Sequence, residues 1–183
     1  MGKNIKGTLF LDYVRMIRKR KDVDWSKYLT SEDLEIINQM ILPSQWYPLE
    51  TFQRMGIAVL DEIAQGDVMV SYEWGRQSMD EMLKTYKNLS VKDDPHDALE
   101  KFKILRSRFF DFEGLDFVSQ TEKSVSVKLD LAYEGVAEEA YAYQMTGSIE
   151  RLLELAGAEG ISSRFVKKAW ERDNETVIEF SWK

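Results

Sequence analysis

The stretch Val125-Ser126-Val127-Lys128-Leu129-Asp130-Leu131 decides the fold class, because its apolar residues alternate strictly with polar ones. A period of two is typical of an antiparallel strand that buries one face and exposes the other. Leu115 and Phe117 predict the hairpin partner of this strand, and the segment 121–124 supplies the connection between them. The sequence therefore predicts a β-hairpin in the second half of the chain.

Outward from this hairpin, the apolar residues recur at helical spacing. Thr30 precedes two acidic residues and predicts a helix N-terminus. Helices are predicted over about 9–17, 31–41, 48–65, 67–86, 94–109 and 136–155. A turn is predicted at 43–48, and two closing strands at about 162–172 and 176–182, joined at Asp173-Asn174.

This order of elements predicts an α+β fold. An N-terminal helical layer packs on an antiparallel sheet of about four strands, with one long helix inserted between the two hairpins of the sheet. We expect a single domain over residues 1–183, in which 1–112 form mainly the helical layer and 113–183 form the sheet and its helix.

Composition excludes several classes of protein. The 183 residues are 44% hydrophobic and carry a net charge of −7, which argues against disorder and against nucleic acid or an anionic membrane as partner. The chain has no cysteine and one histidine, His96, so cysteine-based metal sites, thiol catalysis and multi-histidine metal sites are excluded. We expect no metal site, no membrane span and a cytoplasmic location.

The sequence carries no recognisable catalytic motif. It has neither a Gly-x-Ser-x-Gly nucleophile elbow nor a glycine-rich phosphate loop, and we predict no catalytic residues. His96, oriented by Asp97, could shuttle a proton, but we interpret it as a solvated residue at a helix start. Arg106 and Arg108 could face an acidic ligand group, although a surface location is the simpler interpretation. The chain is therefore predicted not to be an enzyme.

Aromatic residues, 12% of the chain, are its most suggestive compositional feature. Most of them fall on the apolar stripes of different helices, where they form the core if they pack without gaps. A gap between the helical layer and the sheet would instead make a pocket for an apolar ligand. Trp74, Phe102 and Tyr133 are the residues predicted to line such a pocket.

Short motifs resemble one superfamily in their order and spacing. Lys6-Gly7-Thr8-Leu9-Phe10 resembles the start of heme nitric-oxide/oxygen-binding (H-NOX) domains and their non-heme relatives. Trp46-Tyr47-Pro48, followed by a helix, is similar to an uncharacterised non-heme family abundant in myxobacteria. Trp74-Gly75-Arg76-Gln77 resembles a Gly-Arg helix that both groups carry, and the closing Phe180-Ser181-Trp182 is also similar. The related 4-vinyl reductase domain shares this layout.

The resemblance implies a helical half over an antiparallel sheet, with a ligand between them. Heme-binding members use a histidine in the region that matches Phe102–Ile104, whereas His96 lies about two turns earlier. They also use a Tyr-x-Ser-x-Arg motif to hold the heme propionates. The matching segment here keeps Tyr133, but Gly135 and Ala137 replace the serine and the arginine. We therefore expect no cofactor and, in particular, no heme.

Together these observations predict a non-catalytic bacterial sensor or adaptor domain. Its partner would be an apolar small molecule, bound between the helical layer and the sheet, or a signalling protein. The alternative is a protein–protein interaction module that forms a homodimer or binds a signalling partner, with a filled core and no ligand. A stable dimer of bare chains would favour the alternative, and a retained small molecule would favour the sensor.

Overall fold

The computed structural model describes residues 2–89, 92–130 and 133–183. The chain divides into two compact units. Unit 1 comprises residues 1–67 and 106–112, and unit 2 comprises residues 68–105 and 113–183. The single-domain organisation stays a prediction.

The described residues contain six α-helices and six β-strands. The helices are α1 (Gly7–Lys19), α2 (Ser31–Asn38), α3 (Leu49–Glu62), α4 (Val68–Thr85), α5 (Pro95–Arg106) and α6 (Gly135–Leu155). The strands are β1 (Asn4–Lys6), β2 (Trp46–Pro48), β3 (Leu115–Thr121), β4 (Ser124–Leu129), β5 (Ser162–Lys167) and β6 (Thr176–Ser181). Short 3₁₀ turns lie at Trp25–Lys27, Lys87–Leu89 and Ala169–Glu171.

Unit 1 holds a two-stranded sheet that the sequence does not predict. β1 and β2 pair antiparallel through Ile5 and Tyr47, although the sequence predicts only a turn at 43–48. Gly7 allows the close approach of the chain here, because a Cβ atom at this position would lie 2.1 Å from the Leu42 carbonyl oxygen. The opening motif therefore needs glycine at this position, because a residue with a Cβ atom would clash. The core of unit 1 includes the stacked rings of Phe10 and Tyr47, 4.7 Å apart.

The helix start predicted at Thr30 is confirmed. Thr30 Oγ1 accepts a hydrogen bond from the Asp33 N–H, and the Asp33 carboxylate accepts one from the Thr30 N–H. This reciprocal capping box satisfies two backbone donors at the start of α2. It also places the Asp33 carboxylate inside unit 1, where it is 1% exposed.

Unit 2 contains the predicted sheet, with strand order β3-β4-β6-β5 and antiparallel pairing throughout. Val125, Val127 and Leu129 are buried, as the alternation predicts. α6 lies between the two hairpins in sequence, and its Tyr143 packs edge-on against Phe165 of β5, with the ring centroids 5.1 Å apart. The α+β class, the four-stranded antiparallel sheet and the inserted helix are confirmed.

α4 and α6 pack closely because two glycines face the opposite backbone. A Cβ atom on Gly75 would lie 2.0 Å from the Gln144 carbonyl oxygen, and one on Gly147 would lie 2.1 Å from that of Tyr72. Ser148 Oγ donates to the Gly75 carbonyl at 3.0 Å across the same contact. The predicted Gly-Arg helix is therefore a packing motif in unit 2.

Some predicted boundaries are wrong in detail, and one is untested. The strand predicted at 162–172 ends at Lys167, and a 3₁₀ turn follows instead of a tight turn at Asp173-Asn174, because Lys168 and Asp173 bond to each other. α5 ends at Arg106 and not at 109, and a turn follows in which the Phe109 and Phe110 N–H groups donate to the Arg106 carbonyl. Leu131, predicted to lie in the strand, falls outside the described residues.

Candidate functional site

A cavity of about 350 Å³ lies in unit 2 at the start of α6. Its lining includes Tyr133, whose side chain is buried and packs edge-on against Tyr141, with the ring centroids 5.5 Å apart. Gly135 begins α6 with a φ of +55°, a conformation that favours glycine. The residues that line the cavity are Lys128, Leu129, Asp130, Tyr133, Glu134, Gly135, Glu138, Ala169, Asn174 and Glu175.

The lining of this cavity is strongly acidic. Glu175 accepts hydrogen bonds from Lys128 and Lys167 at 2.7 and 2.6 Å, and these two bonds lower the pKa of Glu175 to about 2. Glu138 accepts a hydrogen bond of 2.6 Å from Thr176. With Asp130 and Glu134 also at the rim, four carboxylates surround one lysine that is already paired. The cavity therefore disfavours a ligand that presents a carboxylate there.

Of the three residues predicted to form a pocket, Tyr133 lines this cavity. Trp74 is half-buried on α4, and Phe102 is buried on α5. Neither is among the described residues that line the cavity. The apolar pocket formed by Trp74, Phe102 and Tyr133 stays a prediction.

His96 is not the solvated residue that the sequence suggests. It is half-buried near the start of α5, and its ring packs against Trp182, with the centroids 5.1 Å apart. Nε2 lies 3.2 Å from the Glu122 carbonyl oxygen, which can only accept a hydrogen bond, so Nε2 carries the proton. Nδ1 is buried and has no hydrogen-bond partner among the described residues. In the neutral imidazole Nδ1 therefore presents a bare lone pair.

The two arginines near the end of α5 differ in their exposure to solvent. Arg108 is exposed, in agreement with its predicted surface location. Arg106 is 7% exposed, so a surface location is wrong for it. Helical spacing explains the difference, because Arg106 follows Phe102 by four residues and Leu99 by seven, on the buried stripe of α5, whereas Arg108 lies beyond the helix. The Phe110 ring covers the Arg106 guanidinium. This spacing is the sequence signal that predicts the burial of Arg106.

Neither a clustered metal site nor a membrane span is found in the part of the chain that the structure describes. No three histidine, aspartate or glutamate residues in 2–89, 92–130 and 133–183 lie together as metal ligands. Within the same ranges, no helix has the length and the apolar character needed to cross a membrane.

Comparison with solved structures identifies the fold. A structure from a study of heme distortion in the H-NOX family is 12% identical, covers 98% of this chain and 95% of its own, and has a TM-score of 0.62. A mutant of an H-NOX protein from K. algicida, in its unliganded Fe(II) form, is 16% identical, covers 98% and 97%, and has a TM-score of 0.63. The chain therefore has the H-NOX-like fold. The sequence matches no protein-family model and no curated protein.

The comparison also overturns the prediction of no cofactor. A third structure, from work on heme redox potential and porphyrin distortion, is 15% identical, covers 97% of this chain and 100% of its own, and has a TM-score of 0.60. Both this structure and the first come from work on heme. The expectation of no heme rests on the displaced position of His96 and on the replacement of a serine and an arginine by Gly135 and Ala137, and the heme-related neighbours overturn it.

Proposed function

We propose that this chain is a non-catalytic sensor domain that binds a small molecule, with heme as its cofactor. The fold supports this proposal over almost the whole chain, since the matching structures cover 97 to 98% of it. The observation that carries the proposal for this particular sequence is the bare, buried Nδ1 of His96.

The Nε2 hydrogen bond of His96 supports a role as a metal-binding imidazole. Such a histidine commonly donates its second ring N–H to a carbonyl or carboxylate, which fixes the tautomer and orients the ring. In this chain, the Glu122 carbonyl receives the Nε2 proton, and the lone pair remains on Nδ1. Heme, if bound, would supply an iron centre able to take a small ligand. Of the described residues, His96 is the one that offers an imidazole to that iron.

The surroundings of His96 would convert binding into movement within unit 2. Its ring contacts Trp182, which follows β6, and its Nε2 bonds to the turn between β3 and β4. A displacement of the imidazole therefore acts on two strands of the same sheet. A small ligand that favours one position of the ring would shift the population of sheet conformations, and a partner protein could respond to that shift.

The test is a titration of the purified chain with hemin, followed by visible absorption spectroscopy. We expect one hemin per chain and a heme spectrum that depends on His96. His96→Gln is the matched variant, because its amide can still donate to the Glu122 carbonyl but has no imidazole lone pair. An unchanged spectrum and affinity in His96→Gln would contradict the assignment of His96.

A protein–protein interaction module remains the second candidate, and one observation favours it. Unit 1 exposes three apolar side chains within seven residues, namely Met40 (82% exposed), Leu42 and Trp46. Apolar residues that cluster on a surface commonly mark an interface. Light scattering would test this candidate: a stable dimer that Met40→Ser dissociates would support it, and a monomer at all concentrations would oppose homodimerisation.

A further inference from the structure

Arg106 is the one lysine or arginine among the described residues that is buried. It ends α5 and belongs to unit 1. Its guanidinium lies over the ring of Phe110, with Cζ 3.8 Å from the ring centroid. Phe110 is itself held in place by a β-bridge to Ile5. A cation–π contact of this kind satisfies the face of a guanidinium but not the N–H groups at its edge.

Two of those N–H groups form one edge of the guanidinium. Nε and Nη2 of Arg106 are buried, and neither has a hydrogen-bond partner among the described residues. The nearest carboxylate along the chain, Asp111, is already engaged, because its two oxygens accept hydrogen bonds of 2.7 Å from the backbone N–H and the side-chain amide of Asn4. No ion pair within the described ranges involves Arg106.

Other arginines of the molecule show which acceptors this edge takes. In Arg18 it donates to the Ile37 carbonyl oxygen, and in two other arginines it donates to a carboxylate. Arg54 uses Nε and Nη2 to donate to the two oxygens of Asp33, at 2.6 and 2.8 Å. Arg20 uses the same two nitrogens on Asp22, at 2.9 and 2.7 Å. The Nε–Nη2 edge is planar and spaced to match a carboxylate, which it binds through two parallel hydrogen bonds.

A buried guanidinium keeps its charge and its need for hydrogen-bond acceptors, because arginine stays protonated in proteins. Burial of a charge without a counter-ion is strongly unfavourable, and buried N–H groups without acceptors add to that cost. The acidic cavity in unit 2 disfavours a carboxylate, whereas Arg106 favours one.

We propose that the Nε–Nη2 edge of Arg106 binds the carboxylate of a small-molecule ligand. This inference rests on the proposed function to the extent that the chain binds a small molecule. It names the chemical group recognised and the residue that recognises it. It is independent of iron, because the guanidinium binds the carboxylate whether or not the ligand holds a metal.

The experiment uses benzoate as the probe and benzamide as its neutral analogue, on the full chain with ¹⁵N-labelled arginine. We expect benzoate to shift the Arg106 Nε–H resonance in a saturable way, and to raise the melting temperature by about 2–4 °C at high occupancy. Benzamide, and sodium chloride at equal ionic strength, should do neither. Inorganic phosphate is the second anion, and a shift with phosphate but not with benzoate would overturn the choice of a carboxylate.

Two variants of Arg106 and one control complete the design. Arg106→Met and Arg106→Lys should each lower the affinity for benzoate at least about tenfold, the first by removing the charge and the second by removing the planar edge. Arg108→Met, which removes an exposed charge two residues away, should bind benzoate as the wild type does. If Arg106→Met does not fold, the wild-type resonance still decides the question.

An unshifted Arg106 resonance at saturating benzoate would overturn the inference, and so would benzoate binding retained in the folded Arg106 variants. The hemin titration is a separate readout. Benzoate binding at Arg106 in a chain that takes no hemin would refute the heme proposal alone. Hemin binding with an unshifted Arg106 would refute only this inference.

Discussion

Among its described residues, unit 1 buries two charged side chains, Asp33 and Arg106, and their surroundings differ. Asp33 is 1% exposed, and both of its oxygens accept hydrogen bonds, from Arg54, Thr51 and the Thr30 backbone. Arg106 is 7% exposed and has an aromatic ring on one face but no acceptor, among the described residues, at its Nε–Nη2 edge. The contacts of Asp33 stabilise the fold, whereas the Nε–Nη2 edge of Arg106 binds a ligand.

The pKa of Asp33 reflects the hydrogen bonds that its carboxylate accepts. Burial alone would raise the pKa of the carboxyl, since it disfavours the charged form. The hydrogen bonds from Arg54, Thr51 and Thr30 outweigh burial and hold the pKa of Asp33 well below its usual range. The ionised carboxylate is therefore a structural element of unit 1, and removing it should damage the fold.

The largest expected effect is that of Asp33→Ala. It removes the acceptor of Arg54 and Thr51 and one half of the capping box on α2. We expect a loss of about 3–5 kcal/mol in the free energy of unfolding, measured by urea denaturation. Glu32→Ala, one residue earlier and exposed, is the control and should change stability by about 0.5 kcal/mol or less. Equal losses in the two variants would refute the structural role of Asp33.

Arg54→Met should have a smaller effect. Arg54 is 35% exposed at its side chain, and Asp33 keeps its hydrogen bonds from Thr51 and Thr30 when the arginine is removed. We expect a loss of about 2 kcal/mol by urea denaturation. Combining Arg54→Met with Asp33→Ala should cost much less than the sum of the two single losses, because the variants remove one shared interaction. Strict additivity would contradict that coupling.

The stability contributed by Asp33 should depend on pH with a definite sign. Because its folded-state pKa is lowered, its contribution is present above the pKa of an unfolded aspartate, about 4, and is lost as the pH falls further. Between about pH 7 and pH 2.5 the wild type should lose about 1–2 kcal/mol more than Asp33→Asn. Parallel curves of unfolding free energy against pH for the two proteins would show that Asp33 is not the group responsible.

The smallest expected effect is that of Arg106→Met without ligand. Methionine keeps an unbranched apolar stem against Phe110 and removes a buried cation that has no counter-ion among the described residues. We expect the free energy of unfolding to stay within about 1 kcal/mol of wild type, or to rise. Thermal unfolding in ligand-free buffer measures this. A loss of unfolding free energy as large as that of Asp33→Ala would show that Arg106, like Asp33, stabilises the fold. The two buried charges would then have the same role.

The sequence predicts those parts of the fold that local patterns control. The alternation at Val125, Val127 and Leu129 predicts β4, and Thr30 predicts the start of α2, because period and capping are properties of neighbouring residues. β1 and β2 escape prediction, since each has three residues and their pairing joins Ile5 to Tyr47 across most of unit 1. Such short strands leave no periodicity to detect.

The candidate site residues show the same limit. Nothing near His96 in sequence predicts its partial burial, because its contacts come from Glu122 and Trp182, far along the chain. Arg106 is an exception, because it follows Leu99 and Phe102 at helical spacing and so shares their buried face, whereas Arg108 does not. Among the predicted pocket residues, Tyr133 lies at a cavity, but the acidic character of that cavity depends on residues from β4, α6 and the segment before β6.

The most direct test of the account is native mass spectrometry of the chain after incubation with excess hemin and gel filtration. The account predicts a single species of one chain with one heme, and its loss in His96→Gln under the same conditions. A wild-type spectrum that shows only the bare 21.4 kDa chain would contradict the proposal that this domain senses through heme.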